Sequence, residues 1–137
     1  MTLTSRTVIT AAVVIVLSAT LAFAQAPTMR VQIPFAFAAG NTRLPAGDYR
    51  IVFDHAMQLF RIEQLDGGSF YLGFHQRVEH GSEATASVAF HRYGDRYFLY
   101  RVTGADDTRY EWPQSKAERE IAKNTHGEEV LIRLAQR

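Results

Sequence analysis

The chain has 137 residues, a formal net charge of +1 at pH 7 and no cysteine. Without cysteine there can be no disulfide bond, no thiol catalysis and no zinc site with thiolate ligands. The nearly balanced charge matches the phosphate backbone of nucleic acids poorly, because that backbone is bound by a marked excess of positive charge. We therefore expect no nucleic-acid partner.

The N-terminal residues have the pattern of a secretory signal peptide. Arg6 supplies a positive charge, residues 8–17 form an uncharged apolar segment, and residues 22–24 form an A-x-A cleavage site. An uncleaved anchor is the alternative, for which the apolar run is barely long enough. We expect cleavage after Ala24, which leaves residues 25–137 as a single domain. The pattern predicts an exported protein, periplasmic or secreted, with no stable membrane insertion after cleavage.

Apolar and polar residues alternate along most of the mature chain, which is typical of half-buried β-strands. The first predicted strand is MRVQIPFAF, and its alternate residues Val31, Ile33, Phe35 and Phe37 point to one side. Proline cannot donate a backbone hydrogen bond, so Pro34 predicts that this strand lies at a sheet edge or is interrupted there.

Turn signals separate the strands that follow. LPAG, ending at Gly47, suits a tight turn before the strand DYRIVF. The segment Asp66-Gly67-Gly68 predicts a hairpin turn, and Gly73 is a candidate bulge in the next strand. A further hairpin is predicted around Gly94-Asp95, between ASVAFHRY and RYFLYRVT.

A helix is predicted late in the chain, at about residues 115–124. Ser115 followed by Glu118 forms a capping box, in which the two residues satisfy each other's free backbone N–H groups. After it, Val130, Ile132 and Leu134 alternate with polar residues, which predicts an eighth strand, although a helix stays open for this segment.

These elements predict an all-β fold: one small antiparallel β-sandwich or barrel of seven to eight strands with a short C-terminal helix. An outer-membrane barrel is excluded because charged residues interrupt nearly every run that would have to face lipid.

The hairpin AFHRYGDRYFLYRV concentrates polar and aromatic residues. With Gly94 and Asp95 as the turn, Arg92 faces Tyr97 and His91 faces Phe98. Strict alternation places Arg92, Tyr97 and Arg101 on one face of the hairpin and His91 on the other.

Motifs for catalysis and for cofactors are missing from the sequence. The chain has no GxSxG motif and no glycine-rich phosphate loop, and its histidines lack metal-ligand spacing. These histidines are His55, His75, His80, His91 and His126. The acidic doublets Asp106-Asp107 and Glu128-Glu129 are interpreted as solubilising. We assign no catalytic residue, no metal ligand and no cofactor.

Three segments resemble the motifs of a group of small exported bacterial proteins of unknown function. They are IPFAFAAGNTRLPAGDYRI, FHRYGDRYFL and SKAERE, in the same order and spanning about residues 31–122. The resemblance implies export and a shared fold, and it implies no activity.

The function predicted from the sequence is that of an exported, non-enzymatic β-domain with a binding or structural role. The predicted partner is a protein or another component of the cell envelope, because interleaved arginine and aromatic residues are enriched at interfaces. The candidate partner surface comprises His91, Arg92, Tyr97 and Arg101. Structural roles are predicted for Gly47, Gly67, Gly94, Asp95, Ser115 and Glu118.

Two alternatives stay open. The first is a small barrel that carries an apolar ligand in a cavity lined by Phe35, Phe37, Tyr49, Phe53 and Phe98. The second is a hydrolase that uses dispersed histidines and carboxylates, with His91, His75 and Asp95 as the most obvious cluster.

Overall fold

The computed structural model of the chain describes residues 28–54, 56–68, 70–74, 76–78, 85–105 and 108–134. These residues form eleven strands in two sheets, and one helix. The strands are β1 (Thr28–Ile33), β2 (Phe37–Ala39), β3 (Thr42–Leu44), β4 (Gly47–Asp54), β5 (Leu59–Gln64), β6 (Phe70–Phe74), β7 (Gln76–Val78), β8 (Ser87–Tyr93), β9 (Arg96–Thr103), β10 (Arg109–Glu111) and β11 (Glu128–Arg133). Helix α1 (Lys116–Ala122) lies between β10 and β11. The predicted all-β class is confirmed, as a sandwich with one short helix.

The first sheet has four antiparallel strands in the order β1-β4-β5-β6. Its central strand β4 keeps the alternation read from the sequence, because Tyr49, Ile51 and Phe53 are all buried. The hairpin between β5 and β6 turns through Gly67, whose φ of 80° is a conformation that favours glycine.

The second sheet has the order β11-β8-β9-β10-β7, and its neighbouring strands are antiparallel. The small hairpin of β2 and β3 joins this sheet through a parallel bridge between Ala38 and Phe98. We call the side of this sheet that faces away from the first sheet the outer face. Helix α1 packs on the outer face, where Glu118 contacts His91 and Tyr93 of β8. Both sheets therefore contribute to one core, and the outer face receives the helix.

Aromatic side chains fill the space between the two sheets. Phe53 of the first sheet stacks on Tyr110 of the second, with ring centroids 4.2 Å apart. Phe37 contacts Tyr49 and Phe90 edge-to-face, at 5.3 and 5.4 Å. Such pairs add to the hydrophobic free energy of burial. Three of the five residues expected to line a ligand cavity thus belong to the packed core: Phe37, Tyr49 and Phe53.

The predicted first strand is split at Pro34. Its first half is β1, at an edge of the first sheet, and its second half is β2, in the second sheet. Both predicted outcomes are therefore confirmed: β1 lies at a sheet edge, and the strand is interrupted at Pro34. The structure has more strands than the seven to eight expected, because three-residue strands such as β3 and β10 are too short to show alternation.

A bulge in the hairpin of β8 and β9 overturns part of the predicted face assignment. Phe90 pairs with Leu99 but Ala89 pairs with Arg101, so Tyr100 is an extra residue in β9. An extra residue reverses the alternation beyond it. Val102 therefore faces the core, and Arg101 lies on the outer face with His91 rather than with Arg92 and Tyr97.

The bulge predicted at Gly73 was wrong, since β5 and β6 pair in continuous register past this residue. Glycine is needed there for another reason. A Cβ at residue 73 would lie 2.6 Å from the hydroxyl oxygen of Tyr71, so a side chain would collide with that ring.

The C-terminal elements match the predicted order. Ser115 is the N-cap of α1, and residues 128–133 form strand β11, which decides the open choice there in favour of a strand. Within the described residues, no helix has the length and apolar character needed to cross a membrane. The predicted signal segment, His55, His75, His80 and the doublet at 106–107 lie outside the described residues.

Candidate functional site

The four residues predicted as a partner surface divide between the two faces of the second sheet. Arg92 and Tyr97 lie together, with the guanidinium carbon 5.6 Å from the ring centroid. His91 and Arg101 lie on the outer face, beside the helix and β11. The structure therefore contains two separate groups of polar and aromatic residues.

The first group is an aromatic stack beneath Arg92. The Phe35 and Tyr97 rings are parallel to within 13°, with centroids 3.8 Å apart, and Phe35 also contacts Phe90 edge-to-face. The Arg92 Nε donates to the Gly94 carbonyl at 2.7 Å, which holds the guanidinium near the stack. This geometry is preorganised, since both rings and the cation are fixed by neighbours within the same chain.

The turn of Gly94 and Asp95 determines where these side chains lie. Gly94 has a φ of 63°. Asp95 does not have a positive φ, since Gln58 is the only non-glycine residue with one in the described part of the chain. Positive φ at the first turn residue alone is the pattern of a type II′ hairpin turn. The pair of Tyr93 and Arg96 flanks the turn, and the next pair is Arg92 and Tyr97, so the cation–π contact follows from the register.

A cleft of about 150 Å³ lies beside this stack. Its walls are the hairpin of β2 and β3, the turn at Gly94 and Asp95, and Ala117 of the helix. Arg43, Arg96 and Tyr97 line it, together with Asn41 and Asp95. We call this region the arginine end, defined by Arg43, Arg92, Arg96, Phe35 and Tyr97.

The arginine end has an excess of positive charge. Arg43, Arg92 and Arg96 are exposed, and none of them forms an ion pair with another described residue. Asp95 is the acidic residue that lines the cleft. Guanidinium groups bind carboxylates through paired hydrogen bonds and also stack on rings, so the arginine end suits an anionic group next to an apolar or aromatic one.

The second group, which we call the outer-face cluster, comprises His91, Tyr93, Tyr100, Glu118 and Glu129. Its centre is the carboxylate of Glu118, a residue only 2% exposed although it lies on a surface helix. Its Oε1 lies 2.6 Å from His91 Nδ1 and accepts from the Tyr93 hydroxyl at 3.1 Å. A buried carboxylate needs such partners, because burying it unpaired would cost several kcal/mol.

The other half of the outer-face cluster joins β9 to β11. The His91 ring stacks on Tyr100, with centroids 3.7 Å apart, and the Tyr100 hydroxyl donates to Glu129. Arg101 lies over the Tyr100 ring at 5.2 Å and reaches Glu129 at 3.3 Å. The bulge at Tyr100 makes this possible, because it turns Arg101 toward the outer face.

Both tyrosines of the outer-face cluster hold their protons more tightly than free tyrosine does. Burial raises the pKa of Tyr93, and the nearby carboxylate of Glu118 acts in the same direction. Burial also raises the pKa of Tyr100, supported by its hydrogen bond to Glu129. Both hydroxyls therefore act as hydrogen-bond donors at neutral pH.

The outer-face cluster attaches the helix to the sheet. His91 contacts Glu118, Tyr93 and Tyr100, so its partners come from α1, β8 and β9. A Cβ at Gly127 would lie 2.7 Å from the Tyr93 ring, so the chain passes close to the cluster as it enters β11. This arrangement fixes α1 and β11 against β8 and β9.

The residues predicted to be structural lie in turns and at the helix cap. Gly67 and Gly94 adopt positive φ in their turns, and Gly47 begins β4 where a Cβ would lie 2.8 Å from the Gln64 side chain. Ser115 accepts from the Glu118 backbone N–H at 3.1 Å. The Glu118 carboxylate, predicted to complete the capping box, is instead directed at His91 and Tyr93.

Sequence reasoning missed Phe35 and Gly127 as parts of these groups. Phe35 was placed inside a cavity, whereas it stacks at the end of the sandwich because Pro34 takes the chain out of the first sheet. Gly127 follows the predicted helix and was assigned no part in a site. In both cases the decisive neighbour comes from a distant segment, which local patterns do not reveal.

The described residues contain no group of three or more histidines and carboxylates placed to hold a metal ion. A comparison with known proteins found no matching family model, no similar curated protein and no similar solved structure.

Proposed function

We propose that this chain is an exported, non-enzymatic β-domain that binds a partner protein of the cell envelope through its arginine end. The partner segment is acidic and carries an apolar or aromatic side chain next to the acidic one. The observation that carries the proposal is a set of three exposed arginines around the fixed stack of Phe35 and Tyr97, none of which forms an ion pair with a described residue.

Charge complementarity supports the acidic character of the partner. Arg43, Arg92 and Arg96 together outweigh Asp95 at this end of the molecule, so an approaching carboxylate is attracted. Some arginines elsewhere are already neutralised, as in the pair of Arg50 and Glu63 at 2.6 Å. Binding an acidic segment at the arginine end thus breaks no ion pair between the residues that the structure describes.

The aromatic stack supports the apolar part of the partner. Tyrosine and arginine dominate the energetics of protein interfaces, particularly where their side chains are already held in one conformation. Tyr97 is fixed by Phe35 on one side and approached by Arg92. Little conformational entropy is lost when a partner side chain packs beside it.

Binding of two designed peptides tests this proposal. The first is a twelve-residue peptide in which Glu and Asp alternate with Phe and Leu, and the second has Lys at each acidic position. We expect the acidic peptide to bind more tightly in a fluorescence anisotropy titration. Arg92→Ala/Arg96→Ala should weaken it by about tenfold or more, as expected of interface arginines.

A matched control removes the same charge elsewhere. Arg30→Ala/Arg61→Ala deletes two exposed arginines of the first sheet, neither of which lines the cleft, and should leave binding unchanged within about twofold. Equal affinity for both peptides, or an equal loss in both double variants, would contradict the proposal.

Export is tested separately by the mass of the protein recovered from the cell. The proposal expects the mature chain to begin at Gln25 and to appear in the periplasmic or extracellular fraction. Recovery of the whole 137-residue chain in the cytoplasm would contradict it.

A further inference from the structure

Strand β11 forms an edge of the second sheet with nothing described on its outer side. It pairs with β8 along its full length, from Glu128 opposite Arg92 to Arg133 opposite Ser87, and no other described strand pairs with it. Its sequence EEVLIR has no proline, glycine or lysine, and its register has no bulge. Proline, lysine and bulges are among the means by which proteins protect a free edge from pairing. Charged side chains are another, and β11 carries Glu128, Glu129 and Arg133, so a second strand can pair with it only where its charges are matched.

The direction of the backbone groups in β11 follows from one hydrogen bond. The N–H of Leu134 donates to the carbonyl of Ala86 at 2.8 Å, so its backbone groups point toward β8. Successive residues of a strand point their backbone groups to opposite sides. The N–H and C=O groups of Glu129, Leu131 and Arg133 therefore point outward, ready to pair with another strand.

The side chains of β11 also alternate between the two faces. Val130 and Ile132 pack partly against the core. Glu129, Leu131 and Arg133 lie on the outer face, where Glu129 meets Arg101 and where Leu131 and Arg133 line a surface depression. The strand thus presents an acid, an apolar residue and a base in regular order along one face.

We infer that β11 pairs with β11 of a second copy of this chain, antiparallel and about a two-fold axis at Leu131. In this register Glu129 lies opposite Arg133 of the second copy, and Arg133 lies opposite its Glu129. Val130 lies opposite Ile132 on the other face. Each outward-pointing residue meets another outward-pointing residue, and each such pair exchanges two backbone hydrogen bonds.

Self-complementarity is what identifies the second copy as the partner. In antiparallel pairing, residues that face each other lie on the same face of the sheet. The alternative registers therefore centre the two-fold axis on another residue of β11, and each such step displaces the second strand by two residues. Centring the axis at Val130 places Glu129 opposite Leu131, and centring it at Ile132 places Leu131 opposite Arg133. Among residues 129–133, only the axis at Leu131 matches each charge with its opposite and each apolar residue with an apolar one. Glu128 then lies opposite Leu134, at the end of the pairing.

The charges needed for this pairing are accessible. The Arg133 side chain is exposed and forms no ion pair with a described residue, and the Glu129 side chain is 48% exposed despite its contact with Arg101. Opposite charges directly across a strand pair are favourable and like charges are unfavourable. The pairing uses the sheet edge and leaves the arginine end free, so it does not depend on the proposed function.

Single cysteines test the register, since the chain has no cysteine of its own. The test uses the full-length chain expressed with its own leader and purified in the form that the cell releases. Opposite hydrogen-bonded residues have Cα atoms about 5.5 Å apart, which lies within the range of about 4.4–6.8 Å spanned by disulfides. Leu131→Cys should therefore form a covalent dimer on mild oxidation. Glu128→Cys is the matched control, because Glu128 is outside the matched charge pairs and two copies of residue 128 lie about 20 Å apart along the strands.

Charge reversal tests the same contact without cross-linking. Glu129→Arg and Arg133→Glu each place like charges opposite one another, so each variant alone should be monomeric in sedimentation velocity. An equimolar mixture restores both opposite-charge pairs and should regain the dimer. Circular dichroism of each variant checks that loss of the Glu129 contacts has not unfolded it. Cross-linking of Leu131→Cys no faster than that of Glu128→Cys, or a mixture no more dimeric than its components, would overturn the inference.

Discussion

Glu118 is the residue on which the outer face depends most. Its carboxylate is buried beneath a helix of seven residues and accepts from partners on β8. Removing a buried acceptor leaves its donors without partners, which costs more than the hydrogen bonds themselves were worth. The residue therefore matters through the groups that it satisfies.

We expect Glu118→Leu to lower the free energy of unfolding by about 2–4 kcal/mol, because the Tyr93 hydroxyl and His91 Nδ1 lose their acceptor. Glu118→Gln keeps an oxygen in the same place and should cost only about 1 kcal/mol. Urea denaturation with an unchanged m value provides the measurement. Glu120→Leu, on the exposed side of the same helix, is the control, and an equal loss in that variant would contradict this prediction.

Tyr100 makes stability depend on pH in the alkaline range. Its pKa is raised by burial and by the hydrogen bond to Glu129, whereas a tyrosine in the unfolded chain titrates near its ordinary value of about 10. Above that pH the unfolded chain has released a proton that the folded chain still holds. Stability is therefore complete below about pH 10 and declines as the pH rises.

Tyr100→Phe should make this alkaline decline shallower. The comparison consists of urea midpoints for the parent and the variant between about pH 8 and pH 11. We expect the two curves to converge at the alkaline end, since the variant has no hydroxyl to ionise there. Parallel curves across the whole range would show that Tyr100 does not contribute to the decline.

At the level of elements, α1 is a helix that cannot be stable by itself. Isolated helices shorter than about 12–15 residues are marginal in water, and α1 has seven residues. Its stability comes from the cap at Ser115 and from the attachment of Glu118 to the sheet. Both are needed, because the cap fixes the first turn and the carboxylate fixes the docking.

Ser115→Ala should lower the free energy of unfolding by about 1 kcal/mol, the usual effect of removing an N-cap acceptor. Ser115→Asp should recover most of this loss, since it restores an acceptor and places a negative charge at the helix N-terminus. Thermal or urea unfolding of the three proteins checks the order. A Ser115→Asp variant as unstable as Ser115→Ala would mean that the hydroxyl acts otherwise than as a cap.

Most strands and turns could be predicted from the sequence because their causes are local. Alternation in β4, positive φ at Gly67 and Gly94, and the break at Pro34 each depend on a few neighbouring residues. The bulge at Tyr100 could not be predicted in this way. Phe98, Leu99 and Tyr100 are all apolar or aromatic, so an inserted residue leaves no visible break in the pattern.

The candidate sites were less predictable than the elements. The pair of Arg92 and Tyr97 followed from the hairpin register, but the contribution of Phe35 depends on a different strand. Glu118 was recognised by its spacing from Ser115, yet its burial depends on His91 and Tyr93 far along the chain. Burial of a charged group is a tertiary property, which alternation and capping rules do not encode.

At the scale of the whole molecule, the two sheets share one core and should unfold together. Phe53 stacks on Tyr110 across the sandwich, and Phe60 packs against Trp112 with ring centroids 4.2 Å apart. Neither sheet can keep its apolar face buried without the other. Small domains built in this way normally unfold in a single cooperative transition.

Trp112 is the single tryptophan of the chain and reports directly on the contact between the sheets. We expect its fluorescence and the far-ultraviolet circular dichroism to give coincident urea transitions, because loss of sheet packing and loss of strands are one event. Phe53→Ala should shift both transitions together, by about 3–5 kcal/mol for a large cavity in the core. A fluorescence transition that precedes the circular dichroism transition would show that the sheets separate before they melt, and that the aromatic contacts between them are not what holds the fold together.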